Sequence, residues 1–140
     1  MKKVLIVDGQ GGRIGRQIAE ILLPYNGKAI ELTLVGTNSA ASVNMMKSGV
    51  ARCATGENAV IVNSRRADII VGPVGIVIAD ALLGEVTPAS ALAVGQSDAI
   101  KVLIPVSRCD NMVVGVKEVS LSALIAEAAE EIMKLVNSED

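Results

Sequence analysis

The chain has almost no aromatic side chains: one Tyr, no Phe and no Trp in 140 residues. Its core must therefore be aliphatic, and Tyr25 is the one ring on which a base would stack. There is no His either. That removes the commonest general acid–base side chain and the imidazole that completes many zinc sites. The two cysteines, Cys53 and Cys109, lack C-x-x-C spacing, so no metal site is expected, and a reducing cytoplasm is the simplest compartment. Concentrated positive charge is also missing. Lys and Arg number 13 against 15 Asp and Glu, a net charge of −2. A nucleic-acid partner needs cations for its phosphates and rings for its bases, so that class is set aside. No run is fit to span a membrane. The most apolar stretch, Ile69 to Leu83, is broken by Gly72, Pro73, Gly75 and Asp80 and is too short to cross a bilayer. Lys2 and Lys3 lead directly into an apolar run without a signal-peptide pattern.

What is present is globular. Apolar residues make up 51% of the chain and charged ones 20%, which is not the composition of a disordered segment. The length suits one domain over 1–140, and a chain of this size buries about 68% of its unfolded surface without help from disulfides or metals.

Lys3 to Val7 reads as a strand with no polar face, the mark of a parallel sheet covered on both sides. Arg13 to Leu23 has a helical stripe of Ile14, Ile18, Ile21 and Leu22, stopped by Pro24. Ala29 to Val35 is a second strand, and Ser39 to Lys47 a helix ended near Gly49. Val50 to Ala54 is a short third strand. The segment from Thr55 to Ser64 is rich in β-branched residues but is read as a helix, because a parallel crossover is needed there. Asp68 to Val71 is a fourth strand, Ile76 to Leu83 a buried helix closed by Gly84, and Thr87-Pro88 starts a helix to about Ser97. Lys101 to Pro105 is a fifth strand. Met112 to Val116 is read as an optional antiparallel edge strand. Ser120 caps a final helix with Ile125, Ala128 and Ile132 facing inward. Alternating strands and helices predict a doubly wound α/β fold, Rossmann-like, in an order near 3-2-1-4-5.

The candidate site is the first strand–helix turn, "VDGQGGRIGRQIAE". Gly9 would permit the tight turn, Gly11 or Gly12 would leave room for a phosphate, and Gly15 would let the helix pack closely. The helix N-terminus adds free N–H groups and roughly half a positive charge. Gln10 and Arg13 belong to the same loop. A second glycine corner, "VGPVG", follows strand four and contributes Gly72, Pro73, Val74 and Gly75. In the predicted order strands one and four are neighbours at the switch point, so both corners would line one crevice. At the end of strand two stand Thr37 and Asn38 rather than the acid that usually holds a ribose, and Asn38 is the candidate for that contact. Asp8 is read as an acceptor for the loop's own N–H groups in preference to a Mg²⁺ ligand.

Other polar residues fall at the same edge. Thr55, Glu57 and Asn58 would either bind ligand hydroxyls or cap a helix. Ser107, Arg108 and Cys109 leave strand five, with Arg108 a partner for an anion and Cys109 a thiolate without a base. No catalytic set emerges.

The loop "GQGGRIGRQI" resembles the nucleotide loop of dihydrodipicolinate reductase. That likeness implies NAD(P)H at Gly9, Gly12, Arg13 and Gly15, although this chain has no His to match that enzyme's catalytic one. Over nearly its whole length, through "VDGQGG", "LVGTN", "ATGENAVIVN", "ADIIVGPVGIVIADALLGEVTP" and "IPVSRCD", the chain resembles a family of short, uncharacterised bacterial proteins of the Firmicutes type. The resemblance implies a stand-alone Rossmann-like fold and no assigned reaction. Three readings stand open: a protein that binds NAD(P), another nucleotide or a phosphate-bearing small molecule, as sensor or enzyme subunit; a small enzyme acting on a phosphorylated or carboxylated metabolite; and a ligand-free interaction module. A homo-oligomer is expected in each.

Overall fold

The computed structural model describes residues 1–106 and 111–138. Five strands form one sheet: β1 (Lys2–Asp8), β2 (Ile30–Gly36), β3 (Cys53–Thr55), β4 (Ile69–Pro73) and β5 (Ile100–Ile104). Their order is β3-β2-β1-β4-β5 and each pairing is parallel. Five helices connect or follow them: α1 (Arg13–Leu22), α2 (Ser39–Met46), α3 (Glu57–Arg66), α4 (Pro88–Gln96) and α5 (Leu121–Asn137).

The unbroken apolar run of β1 explains the layering. Alternate side chains point to opposite faces. Val4 and Ile6 join Ile18 and Leu22 of α1, Met45 of α2 and Ile125 and Ile132 of α5. Leu5 and Val7 join Val60 of α3 and Val94 of α4 on the other face. The chain therefore winds along one face through α1 and α2, then crosses to the other for α3 and α4. The change of direction falls between β1 and β4, which pair through Val4–Ile69, Leu5–Ile70 and Ile6–Val71. At the carboxyl end of that pair, the chain leaves β1 toward one layer and β4 toward the other, which opens a crevice.

Two helix starts follow the side-chain chemistry read from the sequence, whereas α3 starts at Gly56 without a side-chain cap and not at a capping Thr55. Thr87 Oγ1 accepts from Ser90 N–H at 3.1 Å with Pro88 in the first turn, and Ser120 Oγ accepts from Ala123 N–H at 3.1 Å. Arg65 and Arg66 form the exposed last turn of α3.

Two expectations are corrected. Ile76 to Leu83 is not a helix. A 3₁₀ turn covers Val74–Val77, after which the chain enters a compact loop with Asp80, Leu82, Leu83 and Gly84 all at positive φ (66°, 56°, 57° and 88°). The loop closes on itself through Asp80 N–H to Val86 O at 2.7 Å and Val86 N–H to Ala81 O at 3.1 Å. Leu83, apolar as it is, stands 96% exposed. The edge strand expected at Met112 to Val116 is also absent. A turn at Val114–Gly115, with Gly115 at φ 88°, breaks the run before a ladder can form, and β5 is the last strand on that side.

Gly72 of β4 lies against the end of β1. A Cβ there would press into the carbonyl oxygen of Val7, and backbone on a central strand has no room to yield. Gly72→Ala is expected to cost about 1–3 kcal/mol, as overpacking does, read as a lower urea midpoint at unchanged slope. An unshifted midpoint would show that the two strands are free to separate.

Candidate functional site

Two carboxylates from within the chain hold the turn between β1 and α1. Asp8 is only 4% exposed. Its Oδ1 accepts from Gly9 N–H and its Oδ2 from Gly15 N–H, each at 2.8 Å. Burial pushes its carboxyl above the ordinary range, against the pull of the Gly15, Gly9 and Ile14 amides, and the charge of Glu85 adds to the rise. The turn closes with Gly12 N–H donating to Gly9 O at 2.9 Å. Gly12 lies at φ 72°, and a Cβ on it would stand 2.6 Å from the carbonyl oxygen of Ala41, so α2 presses directly on the loop. Asn44 of α2 donates from Nδ2 to Gly11 O at 2.8 Å, and Gly15 packs on Met45 Sδ.

The second carboxylate is Glu85, from the loop between β4 and α4. Its Oε1 accepts from Gln10 N–H at 2.8 Å, from Thr37 Oγ1 at 2.8 Å and from Asn38 Nδ2 at 2.6 Å. Asn38 is fully engaged. Its Oδ1 caps α2 by accepting from Ala41 N–H at 2.8 Å, and its Nδ2 also donates to Gln10 O at 3.0 Å. Leu82 of the same loop rests over Gly9, where an added Cβ would meet Leu82 Cδ1 at 2.8 Å and Glu85 Oε1 at 3.0 Å. Glu85 carried no local signal, because it lies 75 residues from the amide it binds. The one available clue was topological: a loop leaving β4 emerges at the same sheet edge as the glycine turn.

On the other side of the turn the N-terminus of α1 is open. Gly12 offers no side-chain cap and the first turn has no acid, whereas α2, α4 and α5 start with capping Asn38, Thr87 and Ser120. The Gly11 and Arg13 amides donate to no atom among the described residues. A cleft of about 120 Å³ lies against them. It is lined by Asp8 to Ile14 from the first glycine corner, by Pro73 and Gly75 from the second, and by Leu82, Val106 and Leu121. The two glycine corners thus meet across one crevice. Gly15, Thr37, Asn38, Gly72 and Val74 lie outside that lining. Thr55 belongs to β3, with its hydroxyl 2.6 Å from that of Ser42, while Glu57 and Asn58 are exposed in the first turn of α3. Ser107, Arg108 and Cys109 fall outside the described residues.

Fold and crevice together define a doubly wound α/β protein with a small cleft at its topological switch point. The chain belongs to the family described as a domain of unknown function (DUF3842), which matches residues 3–137. No curated protein matches it. One solved structure, an arsenate reductase in the intermediate state, is similar over 97% of both chains at 14% identity, with a TM-score of 0.43; agreement at that level carries no functional information. No helix among the described residues is long and apolar enough to cross a membrane.

Burial pushes the Glu85 carboxyl up, but the hydrogen bonds from Gln10, Thr37 and Asn38 together hold it below its ordinary value. A carboxylate depressed in the folded state adds stability above its unfolded pKa, about 4.3, and loses it as pH falls through the folded value. The Gln10 amide proton shift is therefore expected to hold steady from neutral pH and to move only below the ordinary carboxylate range, and Glu85→Gln is expected to abolish the titration. Movement already near pH 6 would mean that the carboxylate is not seated.

Proposed function

We propose that the protein binds a phosphate-bearing small molecule, with the anion seated at the N-terminus of α1 between the two glycine corners. The observation that carries this is a pair of amides, Gly11 and Arg13, that have no acceptor among the described residues and face a cleft at the β1/β4 switch point. The helix end supplies roughly half a positive charge, and the exposed Arg13 guanidinium adds a whole one beside it. At about 120 Å³ the cleft falls below the roughly 300–1,000 Å³ of sites that enclose a drug-sized ligand. It takes the phosphate end of a ligand whose remainder extends outward. A nucleotide, NAD(P) included, is the candidate cofactor. The ionisable side chains among the described lining residues are Asp8 and Arg13, and Asp8 is occupied in holding the turn. Binding without an assigned reaction, as a sensor or as one subunit of an enzyme, is what these groups support.

A thermal-stability scan against inorganic phosphate, NAD(H), NADP(H), ATP, GTP and sugar phosphates tests the reading. A ligand at 100 times its Kd adds about 2.7 kcal/mol, a shift of several degrees for a chain of this size. Gly11 is the place to block it, since a Cβ there meets nothing within 4 Å. Gly11→Asp should fold normally, put a carboxylate at the amides and weaken the response at least tenfold. A response that survives this change moves the site elsewhere.

Self-association in the cytoplasm belongs to the same reading. Met112 and Val114 stand 89% and 87% exposed in the segment after β5, and the outer edge of β5 pairs with no strand among the described residues. An open edge beside exposed apolar side chains favours a second copy. Sedimentation showing monomer alone at all concentrations would remove this part.

A further inference from the structure

The Gln10 amide, the Thr37 hydroxyl and the Asn38 amide group, from two segments of the chain, converge on one oxygen, Glu85 Oε1. Three donors aimed at a single point are the chemistry of an oxyanion site. The protein's own carboxylate fills it. The loop that delivers this carboxylate is strained: Asp80, Leu82 and Leu83 are held at positive φ, a region that branched side chains such as Leu rarely enter. Such strain persists only where contacts over-determine it, and it clusters at clamps and switches. Leu82, from the same loop, packs over Gly9 and, with Gln10, lines the cleft, so the loop adjoins both the cleft and the three donors.

We propose that Gln10 N–H, Thr37 Oγ1 and Asn38 Nδ2 form a second oxyanion-binding site, for which Glu85 is a displaceable internal occupant. The loop from Ile78 to Thr87 is then a strap. When it lifts, the crevice lengthens from the α1 N-terminus to the end of β2 and accepts a ligand bearing two anionic groups, the second a phosphate or a carboxylate. This deepens the reading above and rests on it only for the ligand's first anion. With the strap down, a second anion at Gln10 would meet the Glu85 charge, so the closed state admits ligands with a single anionic group.

The two anion positions report on different amides, which lets their failures be told apart. Wild type, Glu85→Ala and Glu85→Gln are each titrated with inorganic phosphate and with acetate while backbone amide shifts are followed by NMR. In wild type, phosphate is expected to move Gly11 and Arg13 and to leave Gln10 still. In Glu85→Ala, Gln10 and the Asn38 side-chain NH₂ should respond as well, at least tenfold more tightly than any wild-type response there, and the stronger probe identifies the group that the site prefers. Glu85→Gln keeps the length and packing of the strap without its charge, and should show a smaller gain of the same sign, which keeps the comparison intact if the Ala variant folds poorly. A silent Gln10 in both variants, or equal Gln10 responses with and without the carboxylate, overturns the second site. Gln10 responding in the variants while Gly11 and Arg13 never move would uphold the second site and sink the first.

Discussion

The turn between β1 and α1 has more amide donors than its own carbonyls can take, and the way those donors are shared decides what the molecule can bind. Asp8 takes Gly9 and Gly15, Gly9 O takes Gly12, and Glu85 takes Gln10. Buried N–H groups left without an acceptor are costly, so these assignments tie the end of β1, the first turn of α1 and the loop after β4 into one unit. Gly11 and Arg13, both exposed, are left without an acceptor among the described residues.

That sharing also sets the electrostatics. Two carboxylates flank a loop read as anion-binding, and unit charges about 4 Å apart interact by about 4 kcal/mol at an effective dielectric near 20. A ligand anion is therefore favoured only where positive ends outweigh them. The N-terminus of α1 and Arg13 provide that on the cleft side. On the β2 side Glu85 already holds the donors, and its charge contributes to the rise of Asp8. On the proposed reading the crevice is polarised, with an anion site at one end and an internal carboxylate at the other.

The layering was legible because it rests on local patterns. An unbroken aliphatic run marks a strand covered on both faces, and Thr87-Pro88 and Ser120 announce helix starts at their own positions. The order 3-2-1-4-5 is a common one for such an alternation, and the sheet adopts it. The meeting of the two glycine corners was legible for the same reason. Glu85 was not, since its partners Gln10, Thr37 and Asn38 come from two other segments of the chain and nothing near Glu85 hints at them. Leu82 and Leu83 misled in the opposite direction: their apolar character reads as helix, but their backbone angles belong to a clamp. Asn38 was read as a ribose ligand and proves to be the N-cap of α2 and a clamp on Gln10 O and Glu85. A short polar side chain at a strand end gives the same signal for either role.

The strap shows where stability and function pull apart. Each non-glycine residue at positive φ costs on the order of 1–3 kcal/mol, and three of them lie within four residues. A simple βα connection would avoid that cost. What offsets it here is the buried cluster in which Ala81 and Val86 of the loop pack with Ala91 of α4, and the Glu85 contacts above the glycine turn. Lifting the strap would part Ala81 and Val86 from Ala91, whereas the Glu85 contacts are made with donors that any suitable oxyanion would satisfy as well. A loop whose closed geometry is strained, and part of whose compensation is exchangeable, is one that a second ligand anion helps to release.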